Sequence, residues 1–216
     1  MGDAVLFDLD GVLIDSKEFH YKAWKKFWDR RGIKHTKKDF MKSFGMPNTE
    51  IFKEYFGKIN EEAIHKMSEE KEESYRQAAK GKLKVYPGSR KLLISLRKSH
   101  FKVALATSSP KSNIPFIMKE TKFKGLFHAI INGSDIKKGK PNPEIFLKAA
   151  KKLKVMPKHC LVVEDSNHGL LAAKQARMRS IGVATSMKKS KIKYANLVIK
   201  DVSKISVSVI RGVLNG

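Results

Sequence analysis

The chain has 216 residues, 41% of them apolar, which suffices for a packed interior and allows either one large domain or a core carrying a smaller insertion. A formal charge of +24 invites a polyanion partner, yet eight of the 45 basic residues are Arg and no arginine-rich or aromatic-interleaved tract occurs, so solvated surface charge is favoured and nucleic acid is not expected. No run approaches the roughly 18 to 20 apolar residues that span a bilayer, and the N-terminus lacks a charged segment leading into an apolar one, so no membrane contact and a cytoplasmic location are expected.

Residues 4–9 (Ala-Val-Leu-Phe-Asp-Leu) form a short apolar run bounded by Asp10-Gly11 and predict a buried strand. The stretch from 16 to 82 is helical and charged, with helices predicted over 18–31, 37–44, 49–56 and 61–79 and no convincing strand. After a Pro87-Gly88 turn, a helix over 88–99 precedes a strand at 102–107. A strand at 129–133 and a helix over 143–153, with Ile145, Phe146, Ala149 and Ala150 on one stripe, come next. Further strands are predicted at 161–165, 180–184 and 197–199. The lone Cys160 cannot form an internal disulfide and reads as a core thiol at a strand entry.

Strand and helix in alternation predict an α/β fold: a Rossmann-like parallel sheet covered on both faces, with ligands at the carboxyl ends of its strands. The helical stretch is then an insertion, giving a core of 1–15 and 83–216 and a helical cap of 16–82, with hinges near 15–17 and 81–83.

Polar residues end several of these strands. Asp8 and Asp10, two residues apart, can serve one site as nucleophile and proton carrier, and Gly11 lets the backbone turn close to a ligand. Taken alone, Asp-Leu-Asp-Gly is equally a surface turn. Thr107 and Ser108 offer donors to phosphate, Lys140 a cation, and Glu164 and Asp165 hard oxygen ligands for Mg²⁺. Each has a bland alternative as a helix cap, a surface lysine or a polar turn, but phosphoryl transfer needs all of these parts together.

The order of motifs resembles the haloacid dehalogenase superfamily, in the branch of β-phosphoglucomutase and small sugar-phosphate phosphatases. Asp8-Leu9-Asp10-Gly11-Val12 is similar to its first motif, Ala106-Thr107-Ser108-Ser109 to its second, Gly139-Lys140-Pro141-Asn142-Pro143 to its third and Val163-Glu164-Asp165-Ser166 to its fourth. The resemblance implies an aspartyl-phosphate on Asp8 with Asp10 as acid and base. It implies Mg²⁺ held by Asp8, the Asp10 carbonyl and Asp165 with support from Glu164, and phosphate gripped by Thr107 and Lys140. Leu9, Ser108, Ser109 and Lys111 are then expected beside the substrate. From the cap, His20 and Lys71 resemble mutase residues, whereas Asn48 stands where the mutase carries an arginine for its second phosphate. An amide cannot replace a bidentate cation, so hydrolysis of a small phosphorylated substrate by a monomer is expected. Mutase activity is the second reading. A polyanion-binding protein with a vestigial site is a remote third that rests on charge alone.

Overall fold

A computed structural model describes residues 2–216. Its elements run β1 (Ala4–Phe7), β2 (Ile14–Asp15), α1 (Lys17–Asp29), α2 (Lys37–Ser43), α3 (Asn48–Phe56), α4 (Glu61–Ala79), β3 (Lys84–Val85), α5 (Ser89–Lys98), β4 (Lys102–Ala106) and α6 (Ile114–Thr121). They continue as β5 (Ala129–Ile131), α7 (Glu144–Leu153), β6 (Cys160–Glu164), α8 (Asn167–Gln175), β7 (Arg179–Val183), β8 (Leu197–Ile199) and α9 (Val207–Asn215). The six strands of the main sheet lie in the order β5-β4-β1-β6-β7-β8, every neighbouring pair parallel. Strands added on one side of β1 are followed by strands on its other side, so the switch in order falls beside β1, where open parallel sheets form their ligand crevice.

Burial on both faces explains why these strands read as unbroken apolar runs. Val5 and Phe7, with Val103, Leu105, Leu161 and Val163, face the layer that holds Leu92, Leu93 and Leu96 of α5 and Ile210 of α9. Ala4 and Leu6, with Ala104, Ala106, Cys160 and Val162, face Ile145, Phe146, Ala149 and Ala150 of α7 and Ala172 and Ala173 of α8. Successive side chains thus alternate between two cores, each large aliphatic or aromatic one contributing about 1.5 to 3 kcal/mol on burial. β1 is a rigid base for the residue that follows it. Cys160 is buried in the second core, as expected, and burial pushes its thiol up to about 12.

The helical stretch lies between β2 and β3 and has a core of its own. Trp24, Phe27 and Trp28 of α1 pack on Phe40 of α2, Ile51 and Phe52 of α3 and Ile64 of α4. Local chemistry fixes its helix starts: Thr36 and Asp39 form a reciprocal capping box on α2, and Asn60 accepts the Ala63 N–H at the head of α4. Two short strands escaped sequence reading. β2 and β3 pair antiparallel, Ile14 with Val85 and Asp15 with Lys84, so the two crossings into and out of the helices form one ribbon. Two-residue strands carry no periodicity to detect. No helix among the described residues is long and apolar enough to cross a membrane.

Candidate active site

Asp8 stands one residue beyond β1, and its N–H donates to the Val163 carbonyl of β6 at 3.0 Å, extending the ladder. The chain then turns sharply. The Leu9 carbonyl accepts from Leu13 at 2.9 Å and Ile14 at 3.1 Å, and Gly11 takes φ +83°, where a Cβ would lie 2.0 Å from Asp165 Oδ2. Leu9, expected beside the substrate, sends its side chain into the sheet core, because the turn that aims Asp8 and Asp10 at the crevice aims the residue between them away.

Lys140, in the loop before α7, reaches the same point. Its Nζ donates to Asp8 Oδ1 at 2.6 Å and to Glu164 Oε1 at 2.7 Å. Burial opposes the ammonium charge, but the two carboxylates outweigh burial and raise Lys140 above its ordinary value. One cation does not balance the cluster. Burial pushes Asp8 up to about 7 despite Lys140, with Glu164 and Asp10 adding to the rise, and burial with Glu164 and Asp8 holds Asp165 well above the carboxylate range. Glu164 Oε2 accepts from the N–H groups of Asp165 at 2.8 Å and Ser166 at 2.7 Å and from Ser166 Oγ at 2.8 Å. That oxygen is saturated, which suits Glu164 to support the cluster.

Oxygens of Asp8, Glu164 and Asp165 lie within 4.8 Å of one another. A donor set of buried carboxylate oxygens carrying uncompensated negative charge fits a hard divalent cation such as Mg²⁺.

Asp10 accepts from Ser16 Oγ and, at 3.3 Å, from Ser109 Oγ. Burial acts to raise it, and hydrogen bonds from His20 and Ser16 prevail and hold it below its ordinary value. His20 Nε2 lies 3.4 Å from Asp10 Oδ1, and His20 Nδ1 lies 2.9 Å from Lys71 Nζ. An ammonium only donates, so Nδ1 accepts and Nε2 carries the proton toward Asp10. The imidazole stacks on Tyr75 at 3.9 Å between centroids. Lys71 continues to Glu72 Oε1 at 2.8 Å, and Asn48 Nδ2 donates to that same oxygen at 2.8 Å.

A cavity of about 60 Å³ gathers Asp8, Asp10, His20, Asn48, Lys71, Ser108, Ser109, Lys140, Glu164 and Asp165 in its walls. Thr107 sits just behind: its N–H donates to Ile131 at 3.0 Å and its Oγ1 accepts from the Ser109 N–H at 3.1 Å. Lys111 is exposed and outside the walls, because Pro110 and the turn at 111–113 lead the chain away. Sequence reading quoted Ser16 and Ser166 within the motifs but gave no role to them, to Glu72 or to Ser186, the last donating to Asp165 Oδ2. Ser186 was detectable, since Thr185-Ser186 is the polar end of the strand predicted at 180–184. Glu72 gave no signal within the charged run Glu69-Glu70-Lys71-Glu72-Glu73.

Proteins of known activity resemble this chain over nearly its whole length. The chain is 30% identical to a β-phosphoglucomutase of Bacillus subtilis (strain 168), over 96% of this chain and 93% of that protein. It is 29% identical to a phosphorylated carbohydrates phosphatase of Thermotoga maritima, over 88% of each. The crystal structure of a β-phosphoglucomutase from Clostridium difficile superposes with a TM-score of 0.88 at 31% identity, covering 100% of this chain and 98% of that one. The sequence pattern of the haloacid dehalogenase-like hydrolases matches residues 5–183. By that match and these relatives, the chain belongs to the haloacid dehalogenase-like hydrolase family, among its β-phosphoglucomutase-like phosphoryl-transfer enzymes.

Proposed function

We propose that this enzyme is an Mg²⁺-dependent phosphatase that hydrolyses a small phosphomonoester, a sugar phosphate, through an aspartyl-phosphate on Asp8. The observation that carries hydrolysis over mutase chemistry is Asn48. It lines the cavity where a mutase needs a cation for the second phosphate, and its amide is already committed to Glu72.

In the first half-reaction an Asp8 carboxylate oxygen bonds to phosphorus while the bond from phosphorus to the leaving oxygen breaks, and Asp10 gives that oxygen a proton. In the second, water attacks the phosphorus and Asp10 takes its proton. The Asp8–phosphorus bond then breaks and inorganic phosphate leaves. Asp10, held below the ordinary carboxylate range, is suited to the base step. Lys140 keeps Asp8 aimed and meets the phosphoryl oxygens, while Ser108 and Ser109 border their position. Mg²⁺, held by Asp8, Asp165 and the Asp10 carbonyl with Glu164 behind them, supplies charge neutralisation when bound.

Residues 16–82 act as a cap in this reading. The cavity of about 60 Å³ is far below the roughly 300 to 1,000 Å³ of sites that enclose small ligands, so the helices must swing on the β2–β3 ribbon to admit substrate. Release of inorganic phosphate from a panel of sugar phosphates with Mg²⁺ tests the proposal. Isomerisation of glucose phosphates stimulated by a glucose bisphosphate, without phosphate release, overturns it in favour of the mutase. The intact Asp8–Lys140–Glu164 contacts argue against a vestigial site.

A further inference from the structure

Resting on the phosphatase reading, we propose that Glu72 sets the substrate class: it restricts the enzyme to monophosphates whose leaving group is neutral and rich in hydroxyls, and excludes a second phosphate. Among the cavity residues contributed by the inserted helices, Lys71 is the permanent cation and Glu72 the anion. Both are 2% exposed and their charged atoms are 2.8 Å apart, so Lys71 has no charge to spare for a ligand.

Glu72 is itself fully engaged. Its Oε1 accepts from Lys71 and Asn48, and its Oε2 accepts from Asn113 Nδ2 at 2.7 Å. A carboxylate only accepts, which fixes the orientation of both amides: each presents nitrogen to Glu72. Asn113 Oδ1 in turn accepts from Arg76 Nη1 at 2.9 Å. Asn48 Oδ1 is left to accept from whatever fills the cavity. A second phosphate would find there no cation free of a carboxylate partner, only the remaining N–H of the Asn48 amide, with the Glu72 carboxylate behind it. A hydroxyl can donate to Asn48 Oδ1.

The other polar groups on this wall point the same way. Ser43 Oγ donates to the Asp39 and Phe40 carbonyls, and Ser108 Oγ donates to the Gly45 carbonyl, so both hydroxyls spend their protons on the chain and offer a ligand lone pairs. Trp24, Phe44 and Met46 supply apolar surface for the carbon skeleton. Lys17, whose Nζ lies 5.4 Å from the centre of the Phe44 ring, bonds the Ser186 carbonyl at 3.2 Å and is not in the cavity wall. A second phosphate charge that no free cation answers costs more than one more hydrogen bond to a hydroxyl gains.

The test compares kcat/KM for hexose monophosphates and hexose bisphosphates in the wild type, in Glu72→Gln and in Asn48→Arg. Glu72→Gln frees the Lys71 charge, and Asn48→Arg adds a cation without removing Glu72, so the two reach one end by separate routes. The wild type is expected to favour monophosphates by about 100-fold, and each variant to move the ratio toward bisphosphates by at least about tenfold. A wild type that uses bisphosphates equally well overturns the inference, as does an unmoved ratio in both folded variants. Phosphate release from p-nitrophenyl phosphate by the wild type reports separately on the phosphatase reading. Should that release fail, calorimetric binding of the two sugar classes to Asp8→Asn still reads the preference, and equal affinities refute it.

Discussion

Replacing Asp8 by Asn should abolish phosphoryl transfer and at the same time stabilise the metal-free protein at neutral and alkaline pH. Asp8 is buried in a site whose negative charge Lys140 only partly offsets, and its carboxyl rises from 3.8 to about 7. A folded value above the unfolded one means that the folded state resists ionisation. The penalty is small near pH 4, grows as pH rises, and is complete above about pH 7. At about 1.4 kcal/mol for each tenfold change in the protonation equilibrium, the interval from 3.8 to about 7 corresponds to on the order of 4 kcal/mol. Asn removes that charge but also weakens the contact with Lys140, so a net gain of about 1 to 3 kcal/mol is expected at pH 8. For a chain of this length, that is a rise in Tm of about 2 to 12 °C. Thermal unfolding in EDTA across pH 5 to 8 measures it, and the gain should shrink as pH falls. A gain of the same size at both ends, or an Asn variant less stable than the wild type at pH 8, refutes the reasoning. Mg²⁺ should narrow the gap by binding the carboxylate better than the amide.

Lys140→Met removes the cation between Asp8 and Glu164, and should cost about 3 to 5 kcal/mol of stability and at least 10² in kcat/KM; a loss under tenfold in a steady-state phosphatase assay argues against its role. Gly169→Ala would place a Cβ 1.8 Å from Glu164 Oε1, so the carboxylate must leave Lys140, and kcat/KM should fall at least tenfold with about 1 to 3 kcal/mol of destabilisation. Unchanged kinetics there would mean that Glu164 is not needed where it stands. Phe52→Ala empties the centre of the helical insertion and should cost about 3 to 5 kcal/mol. Hydrogen exchange should show lost protection over 17–79 while the amides of β1 and β6 keep theirs, and uniform loss would speak against a separate cap.

The sheet was legible because strands buried on both faces have no polar positions: Ala4–Phe7 and Cys160–Val163 stand out from a lysine-rich background. Asp8 and Glu164-Asp165 were visible for the same reason, as the first carboxylates after such runs. Lys140 was different. It sits in an aperiodic loop of Gly, Pro and Asn, and nothing in its neighbours separates it from the other lysines except the resemblance of the whole motif. The side chains of Lys111 and Leu9 do not reach the cavity, because the backbone sends one to solvent and the other to the core. Glu72 was illegible in principle, since what matters about it is that Lys71, Asn48 and Asn113, from α4, α3 and the turn before α6, all meet it. Charge pattern on one helix cannot report that.

The charge balance of the site gives these observations a common direction. Asp8, Asp10, Glu164 and Asp165 face one buried lysine, so at neutral pH the crevice resists full ionisation, as the raised Asp8 and Asp165 record. A phosphate dianion brought to this cluster alone would meet repulsion. In the proposed reaction a divalent cation would neutralise the carboxylates first, and metal is expected to bind before substrate. Across the cavity, the Lys71–Glu72 pair cancels itself and adds no attraction of its own. Attraction for phosphate is thus concentrated at the Asp8 end, where Lys140 stands and the proposed metal would bind, and the rest of the ligand is sorted by its hydrogen-bond donors. A substrate that carries charge at one end and hydroxyls at the other matches that division. Initial-rate kinetics in which excess sugar phosphate cannot compensate for a lack of Mg²⁺ would follow from it, whereas random addition of the two would require a source of positive charge other than the metal.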